Sequence, residues 1–129
     1  MSTELLCLVW STLLGFLYIN AQTITLRIQE RGKPYDANRD HEPPLGPHAG
    51  RASRALRNFL ETYPLFIALA AAIQMAGAGD QATAWGAIAY LVGRTAYLPL
   101  YIAGIGPVRS LFWGVSLVGL GMMFYGALL

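Results

Sequence analysis

The sequence predicts an all-α integral membrane protein, a single antiparallel four-helix bundle that occupies residues 1–129 as one domain. Of its 129 residues, 55% are hydrophobic and 12% are charged, which is too apolar a composition for an ordinary soluble domain. Four segments are also apolar over about 20 residues, the length with which a helix crosses a bilayer. The expected transmembrane spans are residues 5–27, 51–79, 82–103 and 108–129.

The first apolar segment begins at Leu5 and is closed by Arg27. A cleaved signal peptide is the alternative interpretation of an N-terminal apolar segment. No basic residue precedes this one and no small-residue cleavage site is evident, so we interpret it as a helix with Arg27 at the membrane edge. Cys7 is the single cysteine and there are two histidines, so we expect neither a disulfide framework nor a metal site.

The distribution of basic residues predicts the orientation. All nine Lys and Arg residues lie in or beside the first and third connections, and the turn at residues 77–81 has none. Because cytoplasmic loops are enriched in Lys and Arg, we expect these connections to face the cytoplasm and both termini to lie on the opposite side. Hydropathy fits a bacterial inner membrane and an endoplasmic reticulum equally, and the compact length and lack of retrieval signals favour the bacterial membrane.

The connection from Gln29 to Gly50 is polar and rich in Gly and Pro, which is typical of a loop. We interpret it as an ordered or semi-ordered cytoplasmic loop. From Arg51 the pattern is helical well before the apolar residues begin, with no helix breaker until Pro64. The second helix is therefore expected to project about three turns beyond the bilayer.

Polar residues of the second helix share one face. Arg51, Arg54, Asn58 and Glu61 follow the spacing i, i+3, i+7, i+10, and Arg57 lies beside them. Guanidinium groups bind carboxylates through paired hydrogen bonds and a carboxylate accepts from an ammonium, so the stripe suits a zwitterionic ligand that carries both groups. The alternative is a basic collar that meets anionic lipid headgroups. Glu61 favours the ligand, since a lipid collar needs no acid at the edge of the hydrocarbon.

The third span contains a charge, Arg94. A charge within a span is costly and usually faces a bundle interior or a water-filled cavity. Tyr97 and Tyr101 follow at i+3 and i+7 and share its face, while Pro99 is expected to bend the helix. The alternative is an arginine whose long side chain reaches the interface beside two interfacial tyrosines.

Arg109 lies in the first turn of the predicted fourth helix, at the expected depth of the second-helix stripe. A guanidinium group beside a helix N-terminus creates a positive pocket, which lowers the pKa of a bound thiol and stabilises the thiolate nucleophile. An ordinary membrane-edge anchor is the alternative.

Residues 54–66, RALRNFLETYPLF, resemble the signature of the membrane-associated proteins in eicosanoid and glutathione metabolism, the MAPEG superfamily. The shared pattern is Arg-Ala, Asn three residues after that Ala, Glu three residues later, then Pro and an aromatic residue. Residues 98–101, LPLY, and 108–113, VRSLFW, resemble the third- and fourth-helix segments of the same family. The likeness thus covers three of the four predicted helices, in order.

The resemblance implies a homotrimer that binds glutathione between subunits on the cytoplasmic side and takes a lipophilic substrate from the bilayer. It also implies that Arg109 is the catalytic residue and stabilises the thiolate of glutathione, a co-substrate beside which no metal is required. The residues that it assigns to glutathione binding are Arg27, Arg54, Arg57, Asn58, Glu61, Arg94, Tyr97, Tyr101 and Ser110.

We therefore expect a glutathione-dependent transferase or peroxidase whose bound thiolate attacks a hydrophobic electrophile. The sequence specifies neither the electrophile nor the choice between conjugation, peroxide reduction and isomerisation. A non-catalytic lipid-binding or scaffold protein of the same fold stays open, because a fold does not establish an activity. A small transporter would need an intramembrane carboxylate, but Glu61 lies at the cytoplasmic edge and the expected spans otherwise lack acids. Nothing in the sequence favours nucleic-acid binding.

Overall fold

The computed structural model describes residues 1–34 and 36–129, and within these ranges the chain forms four α-helices and no strand. The all-α prediction is therefore confirmed. The helices are α1 (Thr3–Gln29), α2 (Pro47–Ala76), α3 (Gln81–Ala103) and α4 (Gly106–Leu128). Three of them, α1, α2 and α4, are long and apolar enough to cross a membrane.

α3 is not among these three helices, although the sequence predicts a span at residues 82–103. Its polar residues lower its hydropathy, and the fold places three of them inside the bundle: Thr83, Arg94 and Tyr97 are all buried. α3 therefore presents these three side chains to the other helices.

The helix ends follow local capping chemistry. The Ser2 side chain accepts from the backbone N–H of Leu5 and starts α1. α2 begins at Pro47, before the predicted start at Arg51, because proline is favoured in the first turn of a helix. It ends at Gly77, whose φ of 62° suits glycine, and Asp80 then starts α3 with a capping box.

The side chain of Gln29 joins the two ends of the long loop between α1 and α2 by hydrogen bonds. Its amide nitrogen donates to the carbonyl of Pro44 at 2.9 Å, and its amide oxygen accepts from the backbone N–H of Gly46 at 2.5 Å. One side chain at the end of α1 thus holds the segment that leads into α2.

A column of stacked aromatic rings holds α2 against its neighbours. Its five rings have centroids 4.3 to 6.5 Å apart and interplanar angles of 11° to 27°. α1 contributes the first ring and α3 the last, so the column fixes which side of α2 faces the bundle. The rings are those of Tyr18, Phe59, Tyr63, Phe66 and Tyr90.

α3 and α4 pack backbone against backbone. A Cβ atom on Gly86 would lie 2.6 Å from the carbonyl oxygen of Gly119, and one on Gly119 would lie 2.5 Å from that of Gly86. Farther along, a Cβ on Gly93 would lie 2.7 Å from the carbonyl oxygen of Phe112. These separations leave no room for side chains, so glycine sets the distance between the two helices.

We expect Gly119→Ala to lower the free energy of unfolding by about 1–3 kcal/mol, because the new methyl group overpacks a backbone contact. Gly121→Ala is the matched control on the same helix, since a Cβ there would meet no atom within 4 Å. Alanine at such an open position should be neutral or stabilising by up to about 1 kcal/mol. Thermal unfolding in detergent, followed by circular dichroism, measures both, and equal stabilities would contradict the packing.

Candidate functional site

Arg94 is fully buried and lies between α2 and α3. Its Nη1 donates to Oδ1 of Asn58 at 2.6 Å, and its Nη2 donates to Oγ1 of Thr62 at 2.9 Å. Both partners are neutral, and no carboxylate of a described residue lies within ion-pair distance of Arg94. Nε has no hydrogen-bond partner among the described residues. The charge is therefore solvated by neutral groups and not neutralised by an acid.

Three tyrosines contact Arg94, two of them at its charged group. The guanidinium carbon of Arg94 lies 5.1 Å from the ring centroid of Tyr97 and 5.9 Å from that of Tyr90. Such ring faces attract cations. The Tyr18 hydroxyl of α1 donates to the backbone carbonyl of Arg94 at 2.6 Å. Arg94 thus faces the bundle interior and joins α1, α2 and α3.

Tyr101, near the C-terminal end of α3, brings two further arginines together. Nε of Arg54, from α2, donates to the Tyr101 hydroxyl oxygen at 3.3 Å. The guanidinium carbon of Arg109, from α4, lies 4.3 Å from the centroid of the same ring. Tyr97 packs edge-on against Tyr101, with 5.4 Å between ring centroids. Residues from three helices thus meet at one tyrosine.

These contacts define an arginine cluster that consists of Arg54, Asn58, Arg94, Tyr97, Tyr101 and Arg109. The Arg54 side chain is exposed and that of Arg109 is half-buried, whereas Arg94 lies beneath them. In the part of the chain that the structure describes, none of the three arginines has a carboxylate within ion-pair distance. Accessible guanidinium groups with no internal counter-ion can bind an anionic ligand.

The other four predicted site residues are exposed. Arg57 and Glu61 line a groove of about 570 Å³ between α1 and α2, with Gln22, Ser53, Leu56 and Leu60. Arg27 lies in the last turn of α1, and Ser110 follows Arg109 in α4. The structure therefore brings six of the ten predicted residues together within one chain, and Arg57 and Glu61 border the neighbouring groove.

Two residues beside the arginine cluster were not assigned to the site from the sequence. Thr62 accepts from Arg94 and shares a hydrogen bond of 3.1 Å with the Tyr90 hydroxyl. Its spacing of i+4 from Asn58 placed it on the right face, so periodicity could have found it. Arg51 was part of the polar stripe, but its Nη1 donates to the backbone carbonyl of Ile102 at the end of α3.

No metal centre accompanies the cluster in the described residues, since no group of three or more His, Cys, Asp or Glu side chains there could hold a metal ion. At the other end of the bundle, the buried carboxylate of Glu4 accepts a hydrogen bond from the Thr83 hydroxyl, and it lies apart from the arginines. The guanidinium, amide and hydroxyl groups of the cluster are able to bind anions.

A family model described as the MAPEG family matches residues 7–129, nearly the whole chain. This match confirms the resemblance seen in the sequence and includes every residue of the arginine cluster. No curated protein and no solved structure matches the chain. The family match and the three apolar helices together fit a multi-pass membrane protein.

We expect Arg94→Ala to lower the free energy of unfolding by roughly 3–5 kcal/mol, because it removes a large buried side chain and leaves Asn58 and Thr62 without their donor. Arg31→Ala is the control, since Arg31 is exposed beyond the end of α1 and such changes usually stay within about 0.5 kcal/mol. Thermal unfolding in detergent measures both variants. An Arg94→Ala protein as stable as the control would show that Arg94 does not join the helices.

Proposed function

Because the chain belongs to the MAPEG family, we propose that it is a membrane-bound glutathione-dependent transferase or peroxidase that acts on a lipophilic electrophile. Glutathione is the co-substrate and binds at the arginine cluster. The observation that carries the proposal is the convergence of Arg54 and Arg109 on Tyr101 with no carboxylate of a described residue at ion-pair distance.

The charges of the cluster match those of glutathione. The tripeptide carries two carboxylates, one ammonium group and, when reactive, a thiolate. Arg54 and Arg109 offer accessible positive charge, and Arg94 adds a third guanidinium group beneath them. Asn58 accepts from Arg94 through its amide oxygen, which leaves the amide nitrogen to donate to a ligand. Glu61 supports the proposal as the carboxylate that would receive the ammonium group.

Arg109 is the proposed catalytic residue. It lies in the first turn of α4, which begins without a side-chain cap, so the free N–H groups of that turn add positive potential to the guanidinium group. Positive potential favours a thiolate over a thiol. The thiolate sulfur then attacks the electrophilic atom of the substrate, and the fixed position of bound glutathione lowers the entropic cost of that step.

The lipophilic substrate is proposed to arrive from the bilayer along α4. Leu111 and Val118 are exposed on this helix beyond Arg109, and Trp113 is partly exposed. Apolar side chains on the outside of a membrane helix contact lipid, so a substrate dissolved in the bilayer has an apolar path to the first turn of α4. Ser110, exposed beside Arg109, is proposed to contact glutathione at the end of that path.

We also propose a homotrimer in which a neighbouring subunit completes each site. This assembly is supported by the exposed position of Arg57 and Glu61, which share their groove with Leu56 and Leu60. Leu60 is exposed there, and charged side chains beside exposed apolar surface on a membrane protein need a polar partner. A neighbouring copy that covers the groove would bring Glu61, Arg57 and the Arg27 end of α1 to the same ligand.

In the proposed topology all four helices, α3 included, cross the membrane in an antiparallel arrangement. The arginine cluster then lies on the cytoplasmic side of a bacterial inner membrane. The basic residues around the first and third connections support this orientation, since both termini then lie on the side without them.

Isothermal titration with glutathione in detergent tests the function. We expect saturable binding to the wild type and a weakening of about ten- to hundredfold in Arg54→Ala, because a hydrogen bond to a charged group contributes about 1.5–3 kcal/mol. Arg31→Ala should bind as the wild type does. No binding by folded wild-type protein would contradict the proposal and favour the non-catalytic lipid-binding alternative.

Turnover with a chlorodinitrobenzene electrophile separates catalysis from binding. Arg109→Ala should lower kcat by about 100-fold or more while the protein stays folded, because the variant loses the charge that stabilises the thiolate. Arg109→Lys keeps a positive charge and should recover part of the rate. An Arg109→Ala protein with wild-type kcat would exclude Arg109 as the catalytic residue.

A further inference from the structure

Arg51 lies one turn before Arg54 on α2, yet it contacts a different part of the molecule. Its Nη1 donates to the backbone carbonyl of Ile102 at 3.2 Å. Its guanidinium group also lies against Gly104, where a Cβ atom would come within 3.0 Å of its Cζ and Nη1. The side chain is half-buried. Arg51 thus donates a hydrogen bond to the C-terminal end of α3, whereas the neighbouring Arg54 donates one to the Tyr101 hydroxyl.

The contact of Arg51 completes the cap of α3. The last carbonyl groups of a helix lack partners within the helix and carry the negative end of its dipole. The backbone N–H groups of Gly104 and Ile105 donate to two of these carbonyls, at 3.0 and 3.1 Å. Arg51 provides the donor for a third, that of Ile102, together with a positive charge at the C-terminal end.

This cap lies next to the start of α4. The connection between the two helices contains only Gly104 and Ile105, and the N–H of Arg109 donates to the carbonyl of Ile105 at 3.2 Å. Gly104 has a φ of 78°, which glycine adopts without strain, and its missing side chain makes room for Arg51. A shift of Gly104 would therefore also shift the first turn of α4.

We propose that Arg51 is a positioning residue: by capping α3 against Gly104 it fixes the α3–α4 connection and so holds Arg109 over Tyr101. The inference rests on the proposed function, because it assigns Arg51 a role that is exerted through Arg109. Arg51 does not contact glutathione itself. Its loss displaces the guanidinium group that stabilises the thiolate, whereas the loss of Arg54 removes a group that holds the ligand.

The first test compares glutathione affinity with thiolate formation in Arg51→Ala. Ultraviolet absorbance of bound glutathione thiolate, measured against pH, gives the midpoint of its ionisation, and isothermal titration gives its affinity. We expect the midpoint to rise by about one pH unit, and kcat measured at a pH below the wild-type midpoint to fall about tenfold, because the thiolate fraction there falls about tenfold for each unit. Affinity measured well below the midpoint, where the bound thiol is protonated, should change by less than about threefold. Arg31→Ala should alter none of these quantities.

Two further variants address the same contact. Arg51→Lys should restore part of the effect, because an ammonium group can still donate to the Ile102 carbonyl, although without the planar fork of a guanidinium group. Gly104→Ala should disturb the connection from the other side, both by adding a methyl group where the guanidinium lies and by placing alanine at a φ of 78°. The double variant Arg51→Ala/Gly104→Ala should be less impaired than the sum of the two single variants, since they disturb one contact.

Hydrogen exchange separates the position of Arg109 from its chemistry. The hydrogen-bonded amides of Ile105 and Arg109 should exchange faster in Arg51→Ala than in the wild type and in Arg31→Ala. Unchanged exchange there would overturn the proposal even if glutathione binds, and so would an unshifted ionisation midpoint or an affinity loss as large as that of Arg54→Ala. Folded wild-type protein that binds no glutathione would instead overturn the proposed function and, with it, the catalytic role of Arg51, while the exchange result would still decide whether Arg51 fixes the turn.

Discussion

The structure depends on one buried cation. Arg94 lies inside the bundle without a carboxylate partner among the described residues, and such a charge is tolerated only where polar groups surround it. Asn58 and Thr62 supply these groups from consecutive turns of α2, which fixes the rotation of α2 about its own axis. With α2 held in that rotation, Arg51 and Arg54 lie on the same face as Asn58 and contact the last turn of α3. The buried charge therefore determines where the accessible charges lie.

Four arginines have three different structural roles because they are buried to different degrees. Arg94 is enclosed and joins helices, Arg51 is half-buried at a helix end, and Arg54 and Arg109 reach Tyr101 with exposed or half-buried heads. A guanidinium group can fill all three roles, because it is always charged, donates hydrogen bonds to carbonyls and carboxylates, and stacks on aromatic rings. Burial and neighbouring acceptors, and not residue type, separate the arginines that build the bundle from those that remain free for a ligand.

Helical periodicity predicted much of this arrangement. It placed Arg54 and Asn58 on one face of α2 and Tyr97 and Tyr101 beside Arg94, and the start of α4 identified Arg109. Periodicity gives the residues that share a face, but it does not give the rotation of one helix relative to the next. For that reason the sequence did not reveal that Arg51 would cap α3 or that Glu61 would border the groove between α1 and α2. For the same reason the sequence did not show that Asn58 and Thr62 of α2 would solvate Arg94 of α3.

The glycine contact between α3 and α4 has a consequence for how the chain enters a membrane. α3 is not apolar enough to cross a bilayer by composition alone, whereas α4 is, and only Gly104 and Ile105 separate them. A segment that carries a charge is inserted at a cost that neighbouring helices can offset. Backbone contact at Gly86 and Gly119 places the more hydrophobic α4 directly against α3, so α4 can offset part of the cost of placing the charge of α3 in a membrane.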